Sequence, residues 1–114
     1  MGLDALKTTD IIEVMENFLE KRRPPEEIRD KLDISYKIID QSIFIFEIRP
    51  RWNKPEEQMH IEIAKATYVK NKDIWKVYWK RADLKWHPYD PPTVKTLHEF
   101  TETVNNDEYG CFWG

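Results

Sequence analysis

Three short runs bring aromatic rings and basic groups together: Arg49-Pro50-Arg51-Trp52, Tyr78-Trp79-Lys80-Arg81 and Lys85-Trp86-His87-Pro88-Tyr89. Guanidinium and ammonium groups hold phosphate, and flat rings stack on nucleobases. The mixture therefore has the chemistry of a surface for an anionic ligand such as single-stranded nucleic acid. Arg49, Arg51, Trp52, Lys80, Arg81, Trp86, His87 and Tyr89 are the candidate ligand-binding residues. A plainer account competes with this one. Trp and Tyr suit β-strands, arginine stacks on Trp, and long basic stems cover exposed rings, which together give a stable surface with no ligand.

The common catalytic designs find little to work with. Gly2, Gly110 and Gly114 are the only glycines, so no glycine loop lets backbone N–H groups approach a phosphate. Ser35 and Ser42 lack the Gly-x-Ser-x-Gly setting of a hydrolase nucleophile. His60, His87 and His98 are not spaced as a helical metal pair, and His60 with Glu62 on one strand face falls short of a site, so neither metal nor cofactor is expected. Glu16 with Glu20, or Glu99 with Glu102, would sit on solvated helix faces, where carboxylates keep ordinary pKa values. Cys111 becomes a nucleophile only beside a base. An enzyme would need a pocket near Trp86 and His87.

The elements that must position these residues follow from periodicity. Ile11, Val14, Met15, Phe18 and Leu19 recur on one helical face, and Asp10 with Glu13 reads as a capping box, so a helix is predicted from about Asp10 to Arg23, ended by Pro24. Residues 1–9 would then be a frayed lead. Pro25-Glu26-Glu27 opens a second, short helix to about Lys31. From Leu32 the period becomes two, predicting a strand to Ile38, a turn at Asp40-Gln41-Ser42, and a central strand from Ile43 to Arg49. Further strands are expected at His60–Lys70, Ile74–Arg81 and Leu84–His87, with Pro88, Pro91 and Pro92 stopping the sheet. Thr93 is the expected cap of a last helix carrying Val94, Leu97, Phe100 and Val104 on one face.

The fold class expected is α+β: one domain, residues 1–114, with an antiparallel meander of about five strands and the N- and C-terminal helices packed on one face. Apolar residues such as Ile43, Ile45, Ile61 and Ile63, with several Trp and Tyr, exceed what two helices cover. A homodimer through the uncovered sheet face is the partner expected from that surplus. The closing Phe112 and Trp113 are unusually apolar for a terminus and read as a structural clasp, or alternatively as a partner-binding peptide.

Composition sets the frame. A chain of 114 residues with 40% apolar and 34% charged residues buries one core without staples, and a single cysteine leaves no internal disulfide. The N-terminus lacks a basic region followed by an apolar stretch, and the longest apolar run, Ile43-Phe44-Ile45-Phe46, is far too short for a membrane span, so a cytoplasmic location is expected. The net charge of −3 hides a division: residues 43–89 carry ten basic against six acidic groups, while residues 90–114 carry five acidic groups and one lysine.

Pro24-Pro25 with Arg29-Asp30-Lys31-Leu32, then Glu47-x-Arg49-Pro50-x-Trp52, Tyr78-Trp79-x-Arg81, Trp86-His87-x-Tyr89-Asp90 and the closing Phe112-Trp113-Gly114, in that order, resemble a bacterial domain-of-unknown-function family, DUF3024. The resemblance spans nearly the whole chain. It implies a stand-alone bacterial protein and no assigned activity. Cys111 stands where the resemblance leads one to expect an aliphatic residue, which argues against a functional thiol. Three readings stay open: a non-enzymatic binding protein for an anionic ligand, a structural or regulatory homo-oligomer using the same aromatics, and an enzyme with a pocket near Trp86 and His87.

Overall fold

The computed structural model describes residues 3–113, so Met1, Gly2 and Gly114 of the expected frayed lead and closing motif lie outside the described residues. Helix α1 spans Ala5–Arg22, so Ala5–Thr9 of the expected frayed lead are helical, and its cap lies six residues before the expected one: Asp4, not Asp10, accepts from the Lys7 N–H at 2.8 Å. Thr8 and Thr9 join the helix by turning their hydroxyls back onto the Asp4 and Ala5 carbonyls, at 2.8 and 2.9 Å. Ile11, Met15 and Phe18 are its buried stripe, and Lys21 and Arg22 lie in its last turn, where the helix dipole favours cations. Pro24 holds Arg23 in an extended conformation, ending the helix as expected. The second helix shrinks to a single 3₁₀ turn, Glu26–Ile28, with no buried residue to extend it.

Five strands follow: β1 Asp33–Ile39, β2 Ser42–Pro50, β3 Gln58–Val69, β4 Ile74–Lys80 and β5 Trp86–Val94. They pair antiparallel in the order β1-β2-β3-β4-β5, a meander in which each strand neighbours the next in sequence. Asp40 and Asp73 take the left-handed backbone that the tight turns after β1 and β3 need, a conformation Asp tolerates better than most residues. A bulge opposite Ile45 and Phe46 makes Ile63 the extra residue of β3. Beyond it, among the described residues, Gln58–Glu62 pairs only with β2, so β2 and β3 extend past β4 and carry the 51–57 loop at their end, with β1 alongside as far as Ile48.

Strand β5 corrects the sequence reading most. The three prolines do not stop the sheet; the strand runs through them to Val94. Pro88 faces Tyr78 and Thr93 faces Lys76, so Tyr89–Pro92 bulge out opposite one position of β4. An edge strand with a bulge has few ladder N–H groups to supply, which is where proline is tolerated. Helix α2, Leu97–Asn106, accordingly starts later than expected, with Thr96 and not Thr93 accepting from Glu99 N–H at 3.1 Å.

Register decides which residues share a face. Ile34, Tyr36, Ile43, Ile45, Ala64, Ala66, Trp75, Val77 and Tyr89 point to the side that α1 and α2 cover, and with Ile11, Met15, Phe18, Leu97, Phe100 and Val104 they form the core. The fold is thus the expected α+β sheet with both helices on one face. Ala64 and Ala66, fully buried and small, let the helices sit close to the middle of the sheet. Two polar contacts tie helix to sheet at the rim. Arg23 donates twice to the Asp33 carboxylate, both at 2.7 Å, and those bonds hold Asp33 below the usual carboxylate range against the opposing effect of burial. Tyr36 donates to Glu16 at 2.8 Å; burial, helped by that bond, pushes its hydroxyl up to about 12.

The chain end folds back. Asp107, in the left-handed conformation just after α2, receives the Phe112 and Trp113 N–H groups on its two carboxylate oxygens, each at 2.9 Å. Trp113 Nε1 donates to the Val104 carbonyl at 2.9 Å, the Arg22 guanidinium lies 4.3 Å from the Trp113 ring, and buried Phe112 packs 4.9 Å from Tyr89.

Candidate functional site

The sheet face opposite the helices takes its side chains from the other half of each alternation: Lys37 of β1, Phe44 and Phe46 of β2, His60, Glu62 and Lys65 of β3, Tyr78 and Lys80 of β4, and Trp86 of β5. Phe44 and Trp86 lie on strands separated by two others, a span of about 14 Å in a flat sheet. Their ring centroids are nonetheless 5.9 Å apart. The two side chains therefore lean toward each other across β3 and β4.

Lys65 sits beneath that meeting point. Its ammonium is 4.6 Å from the Tyr78 ring, 5.2 Å from Trp86 and 5.8 Å from Phe44, a three-ring enclosure. Lys80 reaches the Trp86 ring at 5.0 Å, and Lys37 lies 5.5 and 5.6 Å from Phe44 and Phe46, while Phe46 stacks on His60 at 4.8 Å. Glu62 is the one carboxylate among them. It bonds Lys37 at 2.9 Å and Lys80 at 3.1 Å. Burial alone would raise its pKa; the two lysine bonds outweigh that and hold it below the usual range. Lys65 goes the other way for a cation. Burial among the rings lowers its pKa, Lys80 adds to that, and Glu62 only partly opposes it. Three ammonium groups against one carboxylate leave the face cationic, with rings between the charges.

Of the eight candidate residues named from sequence, only Lys80 and Trp86 belong to this arrangement. Arg49 bonds Glu47 at 3.1 Å on the opposite side of β2. Arg51 and Trp52 stand in the 51–57 loop, where Arg51 lies 3.7 Å from Glu57 and Trp52 is 90% exposed. Arg81 caps the Trp79 ring at 5.1 Å, and His87 Nε2 lies 3.0 Å from the Asp83 carboxylate. Tyr89 is a core residue, packed against Phe112 and Tyr109, because the alternation of β5 sets it on the side opposite Trp86 and Pro88. The second and third sequence runs supply Tyr78, Lys80 and Trp86, while Phe44 and Lys65 come from β2 and β3, outside all three runs. Lys37, Phe44, Phe46, Glu62, Lys65 and Tyr78 were the residues missed. Their one sequence signal was the polar half of the two-residue alternation in β1 and β3 lying opposite Phe44 and Phe46.

Other features offer less chemistry. A cleft of 630 Å³ between α1 and α2 is lined by Asn17, Lys21, His98, Glu102 and Asn105 over a floor of Val14 and Phe18, and its His98–Glu102 pair, 3.3 Å apart, is solvent-exposed. Burial, and secondarily Asp107, push the Cys111 thiol up, the opposite of the lowering that activates a thiol. Among the described residues no three His, Cys, Asp or Glu side chains gather as metal ligands, and no helix is long and apolar enough to cross a membrane.

No curated protein and no solved structure matches the chain. The family model described as a domain of unknown function does match, over residues 3–114, and the chain therefore belongs to the DUF3024 family.

Proposed function

We propose that this is a binding protein, not an enzyme, whose open sheet face receives an anionic ligand with flat rings, and that the ligand is single-stranded nucleic acid. The observation that supports the reading is the juxtaposition of Lys37, Lys65 and Lys80 with Phe44, Tyr78 and Trp86 on one uncovered sheet face. Phosphates would draw Lys37 and Lys80 away from Glu62, and bases would stack on the rings that the lysine stems now cover. The single unpaired cysteine suits the reducing cytoplasm of a bacterium, where such a protein would act.

The test is titration of the protein with short oligonucleotides, read by Trp fluorescence. Binding is expected to weaken with salt at a log–log slope of about −2, the value for about three phosphates neutralised on a single strand. Lys80→Gln should reduce the slope by about 0.7. No quenching by any oligonucleotide at low salt and micromolar protein would overturn the reading. A homodimer through the same face is the competing reading, and it would set the lysines of two copies against one another at a repulsive cost. It predicts a doubled mass in sedimentation and the loss of oligonucleotide quenching as protein concentration rises.

A further inference from the structure

We propose that Lys65 is a site of direct acylation by small acyl phosphates. The inference rests on the geometry of the face and is independent of the nucleic-acid reading. An amine attacks a carbonyl carbon only in its neutral form, so a reactive lysine must be partly withheld from water and placed near other positive charge. Lys65 meets both conditions, with Phe44, Tyr78 and Trp86 around its ammonium and Lys80 sharing the Trp86 ring. The depressed pKa agrees with this placement: burial lowers it, Glu62 opposes that, and Lys80 adds a smaller lowering. The charged and titratable groups facing it are Glu62 on its own strand and Tyr78 and Lys80 on β4, with Lys37 reaching Glu62 from β1.

The same surroundings select the reagent. An acyl phosphate carries its negative charge on the leaving group. Lys80 and Lys37, held only by one shared carboxylate, are cations available to hold that phosphate beside Lys65. The Lys65 Nζ lone pair then attacks the acyl carbon. The C–N bond forms, the bond from the acyl carbon to the bridging oxygen breaks, and inorganic phosphate leaves with the electron pair. The surplus nitrogen proton passes to the phosphate or to water, with no change of oxidation state. The amide so formed is neutral, and its acyl group packs on the rings that held the ammonium.

Two other lysines carry one half of the design each and serve as internal controls. Lys7 also lies over rings, 4.3 Å from Tyr68 and 5.5 Å from Trp75, but its near charge is the Asp73 carboxylate, 3.8 Å away. Lys37 shares the cationic cluster but is bonded directly to Glu62.

The experiment treats the folded full chain with acetyl phosphate near neutral pH and follows each lysine by peptide mass spectrometry. Lys65 is expected to react at least about threefold faster than Lys7 and Lys37. The variants Lys37→Gln and Lys80→Gln, checked for folding by circular dichroism, should slow acetylation of Lys65. Acetic anhydride, which has no phosphate to anchor, should show a smaller preference for Lys65. Equal rates at Lys65, Lys7 and Lys37 would overturn the proposal, as would a Lys65 rate indifferent to both glutamine variants.

Discussion

Strand β3 faces two different worlds within three residues. Ala64 and Ala66 are sealed beneath the helices, while Lys65 between them rises into a ring of aromatics on the side with no helix. The helix-covered face excludes water with two amphipathic helices and a continuous apolar layer. The open face uses lysine stems and rings that lean together across the strands, and it keeps its charges at the surface. The first arrangement holds the fold together. The second covers apolar area with groups that can move aside, which is what a ligand surface requires.

The contrast breaks first if the two faces prove equally important for stability. Phe100 is fully buried between α2 and the sheet. Phe100→Ala is expected to cost about 3–5 kcal/mol in denaturant unfolding, whereas Phe44→Ala, from a half-buried ring on the open face, should cost about 1–2 kcal/mol. Comparable losses would mean that the open face is a second core.

The chain end belongs with the covered face by its contacts. Phe112 is buried against Tyr89, and Asp107 and Val104 bind the backbone and indole N–H groups of the last residues. Ending the chain at Cys111 removes both rings and leaves Tyr89 uncovered. A loss of about 2–4 kcal/mol is expected, with an obvious fall in melting temperature. An unchanged melting temperature would show that the tail is not a clasp and would favour its reading as a partner-binding peptide.

What could be read from sequence divides along the same line. The two-residue alternation from Leu32 onward, the i, i+4, i+7 stripe of Ile11, Met15 and Phe18, and the Pro24 stop are local signals, and they led to the five strands and to two helices on one face, but not to which face, since Ile43, Ile45 and Ile63, counted as surplus for the open side, lie in the core. The errors were also local in origin. Thr8 and Thr9 read as loop residues until their hydroxyls are seen bonded to the helix, and prolines in β5 read as a stop because an edge strand with a bulge is not visible in one segment. The open-face site was beyond reach for a different reason. Phe44 and Trp86 meet only because four strands pair in one register, and that fact does not reside in any short run of residues. Grouping basic and aromatic residues by nearness along the chain therefore collected side chains that point to different faces, Arg49, Arg81 and His87 among them.

The Arg23–Asp33 pair at the rim sets a pH signature on the covered side. Because the folded carboxyl lies below its unfolded value, the stabilisation is complete above about pH 4 to 5 and is lost as pH falls through the lower folded pKa. The melting-temperature difference between the natural chain and Asp33→Asn should accordingly be largest near neutrality and shrink toward pH 2. A difference that stays constant across that range would remove the ion pair as its cause.

Glu62 gives the smallest effect on stability and the sharpest separation of the two faces. It is the one carboxylate among Lys37, Lys65 and Lys80, bonding two of them and drawing the third. Lysine–carboxylate pairs with partly exposed side chains contribute little, so Glu62→Gln should change stability by under about 1 kcal/mol. On a covered face, removing a charge that is already paired would serve only packing. On a ligand surface it frees two ammonium groups, so the same variant should bind anions more tightly than the natural chain, by several-fold at low salt, with the gain disappearing as salt rises. If Glu62→Gln destabilises the fold strongly and leaves oligonucleotide quenching unchanged, the carboxylate is a structural pin for the lysines, and the open face is a surface closed by its own side chains.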